Sequence, residues 1–266
     1  MARSNATSLE KALMLLNGII ADGGQTSFNE IASSMDLAPS TSYRMVSQLV
    51  DAGFVNRYGP NHYGPGLAAT LLYRRCDIAT LMARIGKPLL KTLSSETGLT
   101  SHLGVLEDGM VTYKVRIPGR APRAAKFTRE GMQLEAYCSA VGKVLLAGLS
   151  DQALEDYLGE GDFVPLTPRT LVDPSVLRQE VLKIRSTGVA IDDREVSEDM
   201  ICVAVPVKDQ MGETVAAMSV SMPVGQGADP DPMSFRPSLE KCSEALGDFL
   251  RTSSVPSKQE EKARLV

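Results

Sequence analysis

The 266-residue chain predicts an α+β protein in two parts: a small helical module ending in a short hairpin, and a larger domain in which helices pack on an antiparallel sheet. Three observations carry this. Apolar residues up to Gly53 recur at helical spacing between recognisable caps. From Ser101 the apolar period becomes two, and strand-like runs return near Val189, Ile201 and Thr214. Between these regimes lies a helical stretch. The expected boundaries are 1–66 for the first module, 67–97 for a helical linker, 98–252 for the second domain and 253–266 for a polar, charged tail expected to be disordered.

A first helix is expected from Ser8 to about Ala21, with Leu9, Leu13, Leu16 and Ile20 as its apolar stripe and Asp22-Gly23-Gly24 as its stop. Ser27-Phe28-Asn29-Glu30 is a capping box that opens a second helix, whose buried face is Phe28, Ile31, Ala32 and Met35. After a short break, Pro39 suits the first turn of a third helix, because its missing N–H has no intrahelical acceptor to lose there. Met45, Val46, Leu49 and Val50 point inward, and Gly53 caps the end. Phe54–Tyr58 then reads as a strand, Gly59-Pro60-Asn61 as a turn, and His62-Tyr63 as the return.

The linker is expected to be helical in two pieces broken around Gly86-Lys87-Pro88, with Arg74 and Arg75 on its solvent face. Beyond it, Leu103 to Ile117 forms a hairpin about Glu107-Asp108-Gly109. Residues 121–130 are basic and irregular, with Arg123, Lys126 and Arg129. Helices follow caps at Ser139, Ser150 and Asp173, and a last helix spans about Met233 to Leu250. Strands at Val189–Ile191, Ile201–Val207 and Thr214–Ser221 complete the sheet, the last two joined by the turn Asp209-Gln210-Met211-Gly212.

Composition removes several function classes. Cys76, Cys138, Cys202 and Cys242 are scattered without a CxxC pair, and only His62 and His102 are present, so no structural zinc spacing or histidine-rich metal centre is expected. There is no phosphate loop, no strand-linked GxGxxG and no GxSxG elbow. No cofactor is expected. No run approaches the roughly 18–20 apolar residues of a membrane span, and the first residues do not resemble a signal peptide, so the expectation is a cytoplasmic chain with no membrane partner.

Two short helices separated by a few residues, followed by a hairpin, are the pattern of a winged helix-turn-helix. In that arrangement the third helix enters the major groove and its N-terminal side chains reach base edges. Here those are Ser40, Thr41, Ser42 and Arg44, with Ser47 and Gln48 further along for the phosphate backbone, Arg57 on the wing, and Tyr43 between core edge and groove. Charge does not advertise nucleic acid. Over residues 1–80, Arg3, Lys11, Arg44, Arg57, Arg74 and Arg75 are balanced by Glu10, Asp22, Glu30, Asp36, Asp51 and Asp77, so affinity must come from geometry and local patches. Three small helices with a Ser/Thr start also fit an ordinary helical domain, in which Ser40 and Thr41 merely cap.

At this point longer motifs carry a resemblance. Tyr137-Cys138-Ser139-Ala140-Val141-Gly142-Lys143-Val144-Leu145-Leu146-Ala147, then Asp192-Asp193-Arg194-Glu195, Cys202-Val203-Ala204-Val205-Pro206-Val207 and Ala216–Pro223 occur in the order found in IclR-family transcriptional regulators. Ser40-Thr41-Ser42-Tyr43-Arg44 resembles that family's recognition helix, and Tyr63-Gly64-Pro65-Gly66-Leu67 its post-wing run. The similarity covers about Ser8 to Leu250. It implies a bacterial one-component regulator with a winged helix-turn-helix, a helical linker and a GAF/PAS-like effector domain. Its implied partners are double-stranded operator DNA, a small organic acid, carboxylate and in some cases aromatic, and further copies of itself as homodimer or homotetramer.

The resemblance also implies an effector pocket. The first turn of the helix beginning at Ser139 can attract an anion through its free amides and dipole, and the family's ligands sit at positions matching Ala140 and Val141. The resemblance adds Leu134, Asp192, Met200, Cys202, Ser219 and Ser221. Ser219 and Ser221, two apart on a strand, share a face. Asp192 facing the pocket would repel a carboxylate, so a ligand hydroxyl, amide or water is its expected partner. One departure stands out: where the family often has glycine, three residues before Cys202, this chain has Asp199, which is expected to alter the turn at the pocket mouth. Two other readings stay open: a GAF-like thiol enzyme or redox sensor using Cys138 or Cys202, and an effector-free architectural DNA binder.

Overall fold

The computed structural model describes residues 6–35, 37–75, 78–120, 128–225 and 231–252, with the side chains of 73–75 excepted. Expectations for Arg123, Lys126, the side chains of Arg74 and Arg75, and the tail 253–266 lie outside the described residues. The described residues divide into two compact units, one within Met1–Asp77 and the other within Ile78–Ser254.

In the first unit α1 (Ser8–Asp22) is opened by a capping box between Thr7 and Glu10 and stopped by Gly23 in the left-handed conformation (φ 66°). Its buried stripe corrects the expectation. Leu15 and Ile19 are fully buried, with Ala12 and Leu16 beside them, whereas Leu9, Leu13 and Ile20 stay exposed. Both stripes obey helical spacing; packing against α2 (Phe28–Ser34) and α3 (Pro39–Asp51) chooses between them. The Ser27–Glu30 capping box opens α2, and Phe28 fills the centre of this core. Strands β1 (Val55–Gly59) and β2 (His62–Pro65) form the wing. Asn61, at the wing turn, accepts from the Phe28 amide at 2.8 Å, which ties the wing to the start of α2. The unit closes with α4 (Leu67–Arg75).

The second unit begins with α5 (Ile78–Thr97), which runs unbroken through Pro88. The expected interruption at Gly86-Lys87-Pro88 is therefore absent. Helix α5 buries Ala79, Met82, Gly86, Leu90 and Leu93, so packing on the sheet offsets the bond that Pro88 cannot donate. It is a core helix of this unit rather than a free-standing connector.

Six antiparallel strands follow the order β5-β4-β3-β8-β7-β6. They are β3 (Thr100–Glu107), β4 (Met110–Ile117), β5 (Gln133–Glu135), β6 (Ala190–Asp193), β7 (Met200–Lys208) and β8 (Thr214–Pro223). The β3–β4 turn uses Asp108 and Gly109, both at positive φ, as a tight hairpin demands. One face packs Leu103, Val203, Val205, Met218 and Val220 against α5 and α9 (Arg236–Thr252). The other carries α6 (Ala140–Ala147), α7 (Asp151–Glu160) and α8 (Pro174–Thr187), entered by caps at Ser139, Ser150 and Asp173. Short β5, which periodicity does not reveal, supplies Leu134.

Helix α6 sits unusually close to its neighbours. A Cβ on Gly142 would lie 2.1 Å from the Ala136 carbonyl oxygen, and one on Gly104 would lie 2.7 Å from Val141 Cγ1. Gly142→Ala is expected to shift the start of α6 and cost about 1–3 kcal/mol. Urea denaturation of the full chain should show an earlier midpoint for the second unit with an unchanged slope.

Candidate functional site

In the first unit, α3 offers its polar side to solvent. Ser40, Arg44, Ser47 and Gln48 are exposed, and Thr41 is half-buried. Arg57 is exposed on the wing, where its Nε donates to Gly59 O at 3.2 Å. Ser42 is corrected: it is 1% exposed and its hydroxyl donates to Pro39 O at 2.9 Å, so it belongs to the interior of the module and does not reach a groove. Tyr43 packs edge-on against Phe28, with centroids 5.1 Å apart. Its hydroxyl lies 2.9 Å from Asn29 Oδ1 and 3.1 Å from Asn61 Oδ1, donating its single proton to one of them. Tyr43 thereby fastens α3 to α2 and to the wing turn while leaving part of its ring exposed.

In the second unit a hollow opens beside the N-terminus of α6. It encloses about 390 Å³ of atom-free space, mouth included, and its innermost part has room for about one water molecule. All nine residues expected there line it: Leu134 on β5, Ser139 at the cap, Ala140 and Val141 in the first turn of α6, Asp192 on β6, Met200 and Cys202 on β7, and Ser219 and Ser221 on β8. It also takes His102 from β3, Tyr113 from β4, Thr128 and Val196. His102 and Tyr113 escape a reading of the sequence because each lies in a strand of mixed polar and apolar residues. The strand alternation is the only available signal, and it does not say which face is hollow.

Sheet register explains the convergence. Asp192 pairs with Cys202, and Cys202 with Ser221, so the three form one row across β6, β7 and β8. Ser219 pairs with His102 in the next row. Cys202 Sγ and Ser221 Oγ lie 3.2 Å apart. His102 Nε2 is 2.8 Å from Thr128 Oγ1, and its Nδ1 is 3.5 Å from Ser219 Oγ. Ser139 Oγ accepts from the Gly142 amide at 3.0 Å. The first intrahelical bond runs from Lys143 N to Ser139 O, so the Ala140 and Val141 amides precede the helical ladder. Gly142 has its amide taken by Ser139, and a Cβ there would meet Ala136, which makes it a packing glycine.

Behind this wall Lys143 is buried. Its ammonium donates to Glu195 Oε1 at 2.5 Å and to Ile191 O at 2.6 Å, with Glu180 at 3.8 Å. The turn after β6 is closed from the other side, where Asp192 Oδ1 accepts from the Glu195 amide at 2.6 Å. Asp199 does not need glycine's freedom. The left-handed residue of this connection is Arg194 (φ 64°), and the Asp199 carbonyl accepts from Val224 N.

Burial governs the ionisation of the hollow. The Asp192 carboxyl is pushed up to about 7, because desolvation outweighs its backbone hydrogen bonds. His102 is pushed down to about 3, by burial and then by the Arg116 charge, and is neutral. Burial raises Tyr113 and Cys202 well above their ordinary ranges and Cys138 to about 12. Burial holds both thiols in the protonated form, which disfavours the thiol-enzyme reading.

Comparison with known proteins identifies the arrangement. A family model described as the IclR helix-turn-helix domain matches residues 8–58, and one described as the bacterial transcriptional regulator IclR C-terminal matches residues 75–247. The chain belongs to the IclR family of transcriptional regulators. It is 29% identical to the HTH-type transcriptional regulator XynR of Escherichia coli, over 91% of this chain and 96% of that protein. It is 32% identical to the HTH-type transcriptional regulator BhcR of Paracoccus denitrificans, over 84% and 79%. The crystal structure of Thermotoga maritima IclR is 28% identical, with TM-score 0.60 over 91% of this chain and 98% of that one. An IclR homologue from Microbacterium hydrocarbonoxydans complexed with 4-hydroxybenzoate shares the fold, with TM-score 0.61 at 21% identity over 93% and 100%. As an IclR-family regulator the chain joins a helix-turn-helix DNA-binding domain to an effector-binding C-terminal domain. No helix among the described residues is long and apolar enough to cross a membrane.

Two outcomes follow from this geometry. Lys143→Met leaves Glu195 buried without its cation and should cost about 3–5 kcal/mol, read as a lowered thermal midpoint, while Lys143→Met with Glu195→Leu should recover much of the loss. Cys138 and Cys202 should resist iodoacetamide at pH about 8 in the native chain and react fully once it is denatured, as peptide mass mapping would show.

Proposed function

We propose that this IclR-family regulator reads an operator with α3 and is controlled by a small organic acid bound in the hollow beside α6. The observation that carries the reading is convergence. Side chains from β3 to β8, the α6 cap and the first turn of α6 surround one partly polar hollow that faces a helix N-terminus. An anionic head on the Ala140 and Val141 amides would gain directed donors and the dipole. Ser219 and Ser221 offer hydroxyls to the ligand's other polar atoms, and Met200 with Leu134 forms a wall that can adjust. The hollow is tight, so entry requires side-chain movement. The Microbacterium homologue that shares this fold is complexed with 4-hydroxybenzoate, a carboxylate, which supports the reading.

On the DNA side, Ser40, Thr41 and Arg44 are placed for base edges or nearby phosphates. Ser47, Gln48 and Arg57 are placed for the backbone, and Tyr43 acts mainly by holding α3 in position. Exposed Leu9, Leu13 and Ile20 on α1, with Leu67, Leu71 and Leu72 on α4, favour burial against a second copy, in keeping with a homodimer or dimer of dimers. The effector would act by favouring one spacing of two winged heads over another, which needs different affinity for the two arrangements. The proposed division of the chain is 1–66 for DNA, a helical linker over 67–97 whose second helix, α5, also serves as a core helix of the effector unit, and 98–252 for the effector. The proposed setting is the cytoplasm, with no catalytic activity and no cofactor.

Selection of duplexes from a random library by the full-length protein, followed by fluorescence anisotropy, tests the DNA half. Arg44→Ala should weaken the selected duplex about tenfold to a hundredfold, while Ser42→Ala leaves base preference unchanged. No enriched sequence, or undiminished binding by Arg44→Ala, would overturn it.

A further inference from the structure

We propose, resting on the reading that the hollow receives a carboxylate, that Asp192 takes up a proton as the effector enters, so that an anion binds only together with a proton.

The geometry poses a charge problem. Asp192 is 2% exposed, sits in the row Asp192–Cys202–Ser221 on the floor of the hollow, and keeps Oδ1 on the Glu195 and Val196 amides. It cannot swing out to water without breaking the turn after β6. The anion site proposed at the first turn of α6 lines the same hollow. Among the described lining residues there is no lysine or arginine. The nearest buried cation, Lys143, is already committed to Glu195 and the Ile191 carbonyl. Glu195 itself keeps Oε2 buried without a partner. The buried cluster therefore holds two carboxylates, Asp192 and Glu195, against one fully buried ammonium before any ligand arrives. A third carboxylate among apolar walls raises the like-charge repulsion, and neutralising one acid relieves it.

The groups facing Asp192 single it out as the one that accepts the proton. From its own turn comes Glu195, likewise raised by burial, but paired to Lys143 of α6, which Glu180 of α8 also approaches, and outside the lining of the hollow. From β7 comes the Cys202 thiol, and from the segment before α6 the Cys138 thiol, both held protonated by burial. From β4 comes Tyr113, likewise held protonated, and from β3 His102, held neutral with Arg116 beyond it. Asp192 is the hollow's acid whose ordinary ionisation is displaced toward neutrality, to about 7. Once protonated it stops repelling the ligand and becomes a donor to the ligand's carboxylate or adjacent oxygen. The earlier expectation that Asp192 must avoid the carboxylate is then unnecessary.

The sign follows from linkage. Below about pH 7 Asp192 already carries its proton and binding takes up little. Above it, binding must draw one proton from solvent, and affinity falls about tenfold per pH unit. The experiment is isothermal titration of the full-length protein with acetate, pyruvate, lactate, benzoate and 4-hydroxybenzoate, between about pH 6 and pH 9. Phosphate and Tris buffers, which differ in ionisation enthalpy, count the protons. Expected for whichever of these binds is about one proton taken up at pH about 8.5 and nearly none at about 6. Asp192→Asn, whose side chain still accepts from the Glu195 amide, should abolish both the uptake and the pH dependence of Kd. Binding without proton uptake at the higher pH, or equal uptake by Asp192→Asn, overturns the proposal and leaves the effector reading standing. If Asp192→Asn fails to fold, the proton count on the unaltered chain decides by itself. If none of the five carboxylates binds at any pH, the carboxylate reading of the hollow fails, and this inference with it.

Discussion

Lys143 projects from α6 into a place where no water reaches it, and its ammonium is shared between Glu195 and the Ile191 carbonyl. A buried ion pair of this kind contributes little net stability, since desolvation offsets most of the attraction, but it tolerates few alternative arrangements. It fixes the distance between two segments remote in sequence: the helix whose first turn offers free amides, and the turn that carries Asp192. Because Asp192 in turn caps the Glu195 amide, the same few residues hold both walls of the hollow. Without the pair, the first turn of α6 and the acid across the hollow would no longer be held at a set separation.

The sheet supplies the remaining order. An antiparallel register places residues in rows, and two such rows put Asp192, Cys202 and Ser221, then Ser219 and His102, on the face toward α6. Apolar residues of the same strands face α5 and α9 and make the other core. The division is sharp because the side-chain period of a strand is two. Small residues keep the arrangement tight: Gly104 lets β3 pass under Val141, and Gly142 lets α6 begin against Ala136. A rigid floor under an adjustable apolar wall fits the proposed receptor role, in which the hollow opens to admit a small ligand.

The DNA-binding unit is held together differently. Phe28 fills its centre, and Tyr43 and Tyr63 pack edge-on against Phe28. The Asn61 carbonyl and the Tyr43 hydroxyl tie the wing to the helices, so α3 and the wing form one surface with few cations. Arg44 and Arg57 are its main described cations there, so in the proposed reading shape and specific contacts would carry more of the recognition than counterion release.

Caps, turns and strand alternation are local, and they were readable from the chain alone. The Ser27–Glu30 box, Pro39 at a helix start, Ser139, Ser150 and Asp173 as caps, and Asp108-Gly109 as a hairpin turn each depend on residues within four positions of one another. The family motifs likewise placed nine residues that prove to share a hollow. What the chain could not settle is every choice between two locally equivalent answers. Leu9-Leu13-Leu16-Ile20 and Ala12-Leu15-Leu16-Ile19 are equally good helical stripes, and only contact with α2 and α3 selects the second. Pro88 reads as a break until the sheet packs against α5 on both sides of it. Ser42 reads as a groove contact until the rotation of α3 turns it inward. His102 and Tyr113 join the hollow only when register brings β3 and β4 alongside β8. Short-range hydrogen bonding is written residue by residue, whereas burial is a property of the neighbours that the fold brings.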